Sequence, residues 1–317
     1  MKAFALDEFG APGSLRDLPD PEPREGHVRV RVAAAGLNPW DVTVTQGHVK
    51  DAMEHRFPLI PGSDASGTVD AVGPSVTEYA EGDDVFGSMG KPYQGEGSFA
   101  DLAVMSTATI ARKPASLDHT DAAAIPVAGV TAKTMVEAAA VKDGETVVVI
   151  GATGGVGSYF VQLAALRGAR VIVAVSRGEN ADYARSLGAT DVIDYTTEDV
   201  VEAVRSRHAD GIDVIANMHR DHELVARLAE SVRSGGRVVS ATGGVDAESL
   251  AGRGIEGVNV MGKVNTASLG ELADLFERKE IVSPEIKTFA LDQANEAFEQ
   301  VASGHTRGKI VVTVSTT

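Results

Sequence analysis

Thr146-Val-Val-Val-Ile-Gly-Ala-Thr-Gly-Gly-Val-Gly-Ser158 is an unbroken apolar run that stops at a cluster of glycines. Short apolar runs of this kind, bounded by turn residues, mark strands buried on both faces of a parallel sheet. Ala152, Gly154 and Gly157 then take the G/A-x-G-x-x-G spacing. At the middle position a missing side chain leaves room for a pyrophosphate, and at the last it lets a helix close on the preceding strand. Val156, Phe160, Leu163 and Ala164 put an apolar stripe on that helix, and Gly168 ends it before the next strand. A helix N-terminus offers free N–H groups and the positive end of its dipole to phosphate. The strand, turn and helix therefore predict a dinucleotide held by Ala152, Thr153, Gly154, Gly155, Val156 and Gly157.

Cofactor choice is read at the end of the following strand, where an acidic residue about 20 positions past the last glycine accepts from an NAD ribose hydroxyl. Ser176 and Arg177 stand there instead. A hydroxyl and a guanidinium suit a 2′-phosphate, which a carboxylate would repel. NADPH is the expectation; the competing reading gives the acidic role to Glu179.

Outward from this unit the pattern continues. Apolar runs at Val171 to Val175, Val192 to Ile193, Ile212 to Ala216, Val238 to Ala241 and Val258 to Met261 alternate with helical stretches, as in a doubly wound α/β sheet. Residues 1 to 120 have another texture, with short alternating strands at Val28 to Ala33, Ala65 to Val72, Asp84 to Phe86, Phe99 to Val104 and Ile110 to Lys113. That is a β-rich, barrel-like unit. Past residue 262 the pattern changes back: a strand at Ile286 to Ala290, a helix at Gln293 to Ala302 and a closing strand at Lys309 to Val314, expected to rejoin the first unit.

The chain has 317 residues, room for two domains, and a formal charge of −16 that disfavours nucleic acid and anionic membrane surfaces. It has no cysteine, so disulfides, thiolate nucleophiles and cysteine-ligated zinc are excluded. No stretch approaches the roughly 18 apolar residues of a membrane span, nor does the N-terminus read as a signal peptide; a cytoplasmic protein is expected.

Several further motifs occur in order: Gly36-Leu-Asn-Pro-Trp-Asp41, Pro61-Gly-Ser-Asp-Ala-Ser-Gly67, Glu81-Gly-Asp-Asp-Val-Phe86, Gly97-Ser-Phe-Ala-Asp101, Ala122 to Thr131, Gly235-Gly-Arg-Val-Val239 and Gly308-Lys-Ile-Val311. Together with the glycine turn, they make the chain resemble the quinone oxidoreductase branch of the zinc-independent medium-chain dehydrogenases/reductases over nearly its whole length. The resemblance implies a GroES-like catalytic domain from residues 1–120 and 263–317, with a Rossmann domain over 121–262. It implies that Asn38 and Asp41 line the nicotinamide and substrate end and that Thr131 lies near the carboxamide. Ser176, Arg177 and Tyr195 would meet the adenosine end, with Asn217, Thr242 and Gly243 flanking the cofactor. A homodimer joined through the strand at Val258 to Met261 is implied too. For the polar residues among these, a turn or cap role is the alternative, and Asn38 before Pro39 could simply shape the chain.

Zinc-dependent relatives carry a Cys where Asn38 stands and a His where Ser63 stands, so a zinc site of their kind cannot form. His219 and His222 are read as helix surface. Without a metal to stabilise charge on one oxygen, acceptors that delocalise it themselves, quinones and α,β-unsaturated carbonyls, are the expected substrates. Asn38 is a candidate donor to the developing oxyanion, and Tyr93, placed in a loop from Gly90 to Gly97, a candidate substrate contact or proton donor. Two alternatives stand beside this reading: an alkenal or enoyl-thioester reductase, and a nucleotide-binding protein without turnover.

Overall fold

The computed structural model describes residues 1–314. Two units are present, one formed by Met1–Val130 with Val264–Thr317 and the other by Thr131–Lys263.

The second unit is built on a parallel sheet of six strands, in the order Asp191–Asp194, Val171–Ser176, Thr146–Ile150, Ile212–Asn217, Val232–Ser240 and Glu256–Asn259. Every residue of Thr146–Ile150 is buried, which explains the unbroken valine run: covered on both faces, a strand has no solvent side on which to place polar residues. Helices Gly155–Leu166, Val200–Arg207 and His222–Ala229 are among those connecting the strands. Val148, Val173, Ile215, Val238 and Leu228 belong to one buried cluster between the sheet and its helices. The strand order reverses between Thr146–Ile150 and Ile212–Asn217, so the carboxyl ends of these neighbours, Ile150 beside Asn217, form the switch point at which open α/β sheets bind ligands.

The final strand lies two residues earlier than the apolar pattern predicts, at Glu256–Asn259, leaving Met261 outside it and 80% exposed. An edge strand is half-buried at best, and its polar ends hide it from a search for apolar runs.

The first unit is a β-rich body whose largest sheet has seven strands. Its axis is the eleven-residue strand His27–Leu37, paired antiparallel with Asp64–Val72, Leu102–Ser106 and, from the chain's far end, Lys309–Thr313. Alternation along His27–Leu37 puts Val28, Val30 and Val32 into the core, while its last four residues are all buried. The register Ile310↔Leu37 brings the tail strand alongside the end of this axis. Phe4, Phe99 and Phe298 pack ring to ring beneath it, with centroids 5.7 to 6.4 Å apart. The strands Lys2–Ala5, Ser14–Asp17, Glu54–Ile60 and Tyr93–Glu96 are short or interrupted by Pro or Gly and carry little periodic signal in the sequence.

Candidate active site

The glycine turn has the geometry the dinucleotide reading requires. Gly154 caps the helix Gly155–Leu166 with φ −81° and ψ 179°, and a Cβ there would meet only the Gly151 carbonyl, at 3.5 Å. The space above the helix N-terminus is thus kept clear by the residue that borders it. At Gly157 a Cβ would lie 2.1 Å from the Gly151 oxygen, so the helix packs on the turn at a distance that admits no side chain. The first-turn N–H groups, from Gly155, Val156 and Gly157, have no intrahelical acceptor and face that space. Ala152 and Thr153 are buried within the turn. The cradle fits a pyrophosphate.

Strand pairing assembles the next group. Ser176 is in register with Asp194, so the residues that follow each, Arg177 and Tyr195, leave the sheet side by side. Arg177 Nε donates to Tyr195 Oη at 3.1 Å, and that bond is the largest influence raising the Arg177 pKa above its ordinary value. Ser176 is buried, its hydroxyl on the Arg177 carbonyl, whereas Tyr195 is 46% exposed. Glu179 is exposed on the short helical turn Gly178–Asn180.

Beside the turn, Asn217 is wholly buried and its amide is fully engaged. Its two amide protons are shared among the His219 carbonyl, Ser240 Oγ and Thr242 Oγ1, at 2.8 to 3.1 Å, and its oxygen accepts from the His219 N–H. Ser240, which the sequence reading passed over, also holds the Gly243 carbonyl at 2.9 Å. Asn217, Thr242 and Gly243 are therefore one hydrogen-bonded group at the carboxyl end of adjacent strands. Thr131 is nearly buried in the helix Pro126–Ala138, against Gly262.

In the other unit, Asn38 and Asp41 lie at the start of the helix Pro39–Thr45. Asp41 reaches back to accept from the Asn38 backbone N–H at 2.8 Å, and Ser63 Oγ donates to its other oxygen at 2.6 Å. The Asn38 side chain does not cap the helix. Its Nδ2 donates to Asp64 Oδ2 at 2.9 Å, and its Oδ1 accepts from Lys309 Nζ at 2.6 Å. Lys309 also donates to the Leu37 carbonyl at 3.0 Å and lies 3.9 Å from Asp64 Oδ2, which the Val127 N–H approaches at 3.2 Å. Asn38, Asp41, Asp64 and Lys309 are each at most 4% exposed, and Asp64 Oδ1 has no hydrogen-bond partner. Burial pushes the Asp64 carboxyl up to about 7 against the opposing pull of Lys309 and Asn38. Burial also raises Asp41 and lowers Lys309, because each charged form loses its water. Asp64 and Lys309 sit in motifs quoted from the sequence, yet nothing in the sequence joins positions 271 residues apart such as Asn38 and Lys309.

Tyr93 is not in a loop. It opens the strand Tyr93–Glu96, which pairs with Glu54–Ile60, and it is 5% exposed. Its ring lies under the Arg56 guanidinium at 3.5 Å, and its hydroxyl donates to Glu96 at 2.7 Å and accepts from Arg24. Neither partner belongs to the Asn38 group. Burial pushes the Tyr93 phenol up, away from easy proton loss.

A zinc ion does not fit these residues. The Lys309 ammonium lies 2.6 Å from the only acceptor atom of Asn38, and Ser63 has its proton on Asp41. Among the described residues no group of three or more His, Cys, Asp or Glu is arranged to hold a metal. His219 lies in the turn before the helix His222–Ala229, where His222 is the first residue. Among the described residues no helix is long and apolar enough to cross a membrane.

Comparison with known proteins agrees with both units. Residues 24–115 match the alcohol dehydrogenase GroES-like domain, and residues 187–312 match a family described as zinc-binding dehydrogenase. The chain belongs to the medium-chain dehydrogenase/reductase family of NAD(P)H-dependent oxidoreductases. Within it the likeness runs to the quinone and alkenal reductases. An NADPH-dependent alkenal/one oxidoreductase from the chloroplast of Arabidopsis thaliana is 30% identical, and a 2-methylene-furan-3-one reductase from Solanum lycopersicum is 31% identical, each over 98% of this chain and 79% of the relative. The solved structure of a quinone oxidoreductase from Coxiella burnetii superimposes with a TM-score of 0.88 at 28% identity, covering 99% of both chains.

Proposed function

We propose that the protein is an NADPH-dependent reductase that hands a hydride to a quinone or an α,β-unsaturated carbonyl without a catalytic metal. The observation that carries the cofactor reading is the pairing of Arg177 with Tyr195 at adjacent strand ends, close to a turn that Gly154 keeps open. A guanidinium beside a phenol, with Asp194 engaged by Thr196 and Glu179 exposed on the following turn, suits a 2′-phosphate better than a free hydroxyl.

NADPH, when bound, supplies the hydride. Gly154 to Gly157 would hold its pyrophosphate through backbone N–H groups, and Arg177 and Tyr195 its 2′-phosphate. Thr131, Asn217, Thr242 and Gly243 would border the remainder. Asn38 offers a hydrogen-bond donor to the oxygen on which charge develops, and Asp41, which holds the Asn38 backbone N–H, keeps that donor's helix start in place. Conjugated acceptors need little more, since they spread the charge over several atoms. Tyr93 is a weaker candidate for substrate contact, because its hydroxyl is already shared between Glu96 and Arg24.

Two relatives are named for alkenal or enone reduction and a similar solved structure for quinone reduction, which supports keeping both acceptor classes in this reading. The protein is proposed to act in the cytoplasm as a homodimer, with Glu256–Asn259, one of the two edge strands of its sheet, as the pairing strand that the resemblance implies. Purified protein should oxidise NADPH in the presence of a simple benzoquinone or a 2-alkenal, and the ratio of the two rates assigns the preferred class. Activity that disappears on chelation and returns with zinc would defeat the metal-free mechanism.

A further inference from the structure

We propose that Lys309 and Asp64 together lock the Asn38 carboxamide in a single orientation, making Lys309 a positioning residue for hydride transfer to carbonyl-bearing acceptors. The inference rests on the proposed reductase activity, in which Asn38 faces the acceptor oxygen.

The argument is one of donor and acceptor inventory. A lysine ammonium has three protons and no lone pair, so the Asn38 atom 2.6 Å from Nζ has to be the carbonyl oxygen. The atom 2.9 Å from Asp64 Oδ2 is then the amide nitrogen, donating to a carboxyl acceptor. Flipping the amide would set NH₂ against NH₃⁺ and oxygen against oxygen inside a group shut off from water, at a cost neither contact could offset. Of the two amide protons one is bound to Asp64, which fixes the direction of the other, and the Asp41 carboxylate is a further neighbour of this side chain. The ammonium on Oδ1 also draws electron density from the amide, which strengthens that remaining N–H as a donor. The register that sets Ile310 opposite Leu37 is what delivers Lys309 to this place. Its second bond, to the Leu37 carbonyl at 3.0 Å, anchors the ammonium independently of Asn38.

A donor fixed in advance acts on the transition state because no reorganisation is needed when charge appears. The benefit is greatest for an enone, whose charge gathers largely on one oxygen, and smallest for a strongly oxidising quinone. Loss of the lock should therefore change the ratio of the two activities, whereas general destabilisation would lower both alike.

The test compares wild type, Lys309→Met, Asn38→Ala and the double variant with a 2-alkenal and with benzoquinone, alongside calorimetric binding of NADPH. Removal of one oxyanion donor costs on the order of a hundredfold in turnover, so Asn38→Ala should lower kcat for the alkenal by about that factor and Lys309→Met by about tenfold. In both variants the quinone rate should fall by a smaller factor than the alkenal rate, and in Lys309→Met the affinity for NADPH should stay within about twofold of wild type. The double variant should be no slower than Asn38→Ala alone, since Lys309 acts only through that amide. Multiplying effects, or an equal loss on both acceptors in Lys309→Met, would overturn the proposal. Should the methionine variant not fold, Lys309→Gln, which keeps a donor for Asn38 Oδ1, should retain alkenal turnover within about threefold of wild type. A loss there as deep as that of Asn38→Ala would overturn the proposal as well. Failure of wild type to reduce either acceptor would instead sink the reductase reading itself.

Discussion

Arg177 and Tyr195 are eighteen residues apart in sequence, and their side chains meet at 3.1 Å where two parallel strands end together. The half-buried Arg177 is held by the phenol, so the direction of its guanidinium is set in advance. Arg177→Ala should weaken NADPH by about 10- to 100-fold, the worth of a charge-assisted hydrogen bond, while leaving NADH affinity close to the wild-type value. Parallel calorimetric titrations with the two nucleotides check it, and an equal loss for both would remove Arg177 from 2′-phosphate recognition.

Two neighbouring glycines should respond differently to the same methyl group. At Gly157 the added carbon would collide with the Gly151 oxygen, so Gly157→Ala should cost about 1 to 3 kcal/mol of stability. At Gly154 it would enter open space, so Gly154→Ala should melt like wild type yet bind NADPH about tenfold more weakly. Melting curves and titrations on both variants give the comparison, and a stable, tightly binding Gly154→Ala would argue against a phosphate at that place.

Asp64 should make the protein lose stability as pH rises. Its carboxyl, near 3.8 in the unfolded chain, is raised to about 7 by burial, so the folded state holds the proton more tightly. The contribution is complete below about pH 4 and is lost as pH climbs through 7, with a slope of up to about 1.4 kcal/mol per pH unit from this one group. Asp41, raised for the same reason, acts in the same direction, so the comparison that isolates Asp64 is with Asp64→Asn. Chemical denaturation at pH 5 and pH 8 should show a smaller difference for that variant than for wild type.

Arg237 is a structural residue that its place in the Gly235 to Val239 motif does not reveal. Its guanidinium is buried, grips both oxygens of Glu145 at 2.6 and 2.9 Å, and donates to the carbonyls of Ala139 and Ala140. Arg237→Met strands Glu145 and two carbonyls, and should destabilise the protein by about 3 to 5 kcal/mol. A denaturant midpoint within error of wild type would contradict this.

The nucleotide-binding half was legible in the sequence because its signals are local. The valine run of Thr146–Ile150, the glycine spacing behind it and the Ser176-Arg177 pair lie within some thirty residues, and each reflects a constraint its own neighbours impose. The Asn38 group was legible only in part. Asn38 and Asp41 stand in one motif, but their partners Asp64 and Lys309 arrive through strand register, which no local pattern encodes. Tyr93 was misplaced because Gly90, Gly95 and Gly97 look like a loop, whereas the strand there is paired at only a few residues and its burial comes from cations stacked around the ring. The edge strand was displaced by two residues for a related reason: half-exposed backbone can be regular without being apolar.

That Lys309 rides on the strand Lys309–Thr313 has a consequence for biogenesis. During synthesis the nucleotide-binding fold leaves the ribosome whole, while the axial strand made long before it still waits for its last neighbour. A chain made only as far as that fold would hold no complete carboxamide clamp, because Asn38 gains its ammonium partner only once Lys309 has been added 271 residues later.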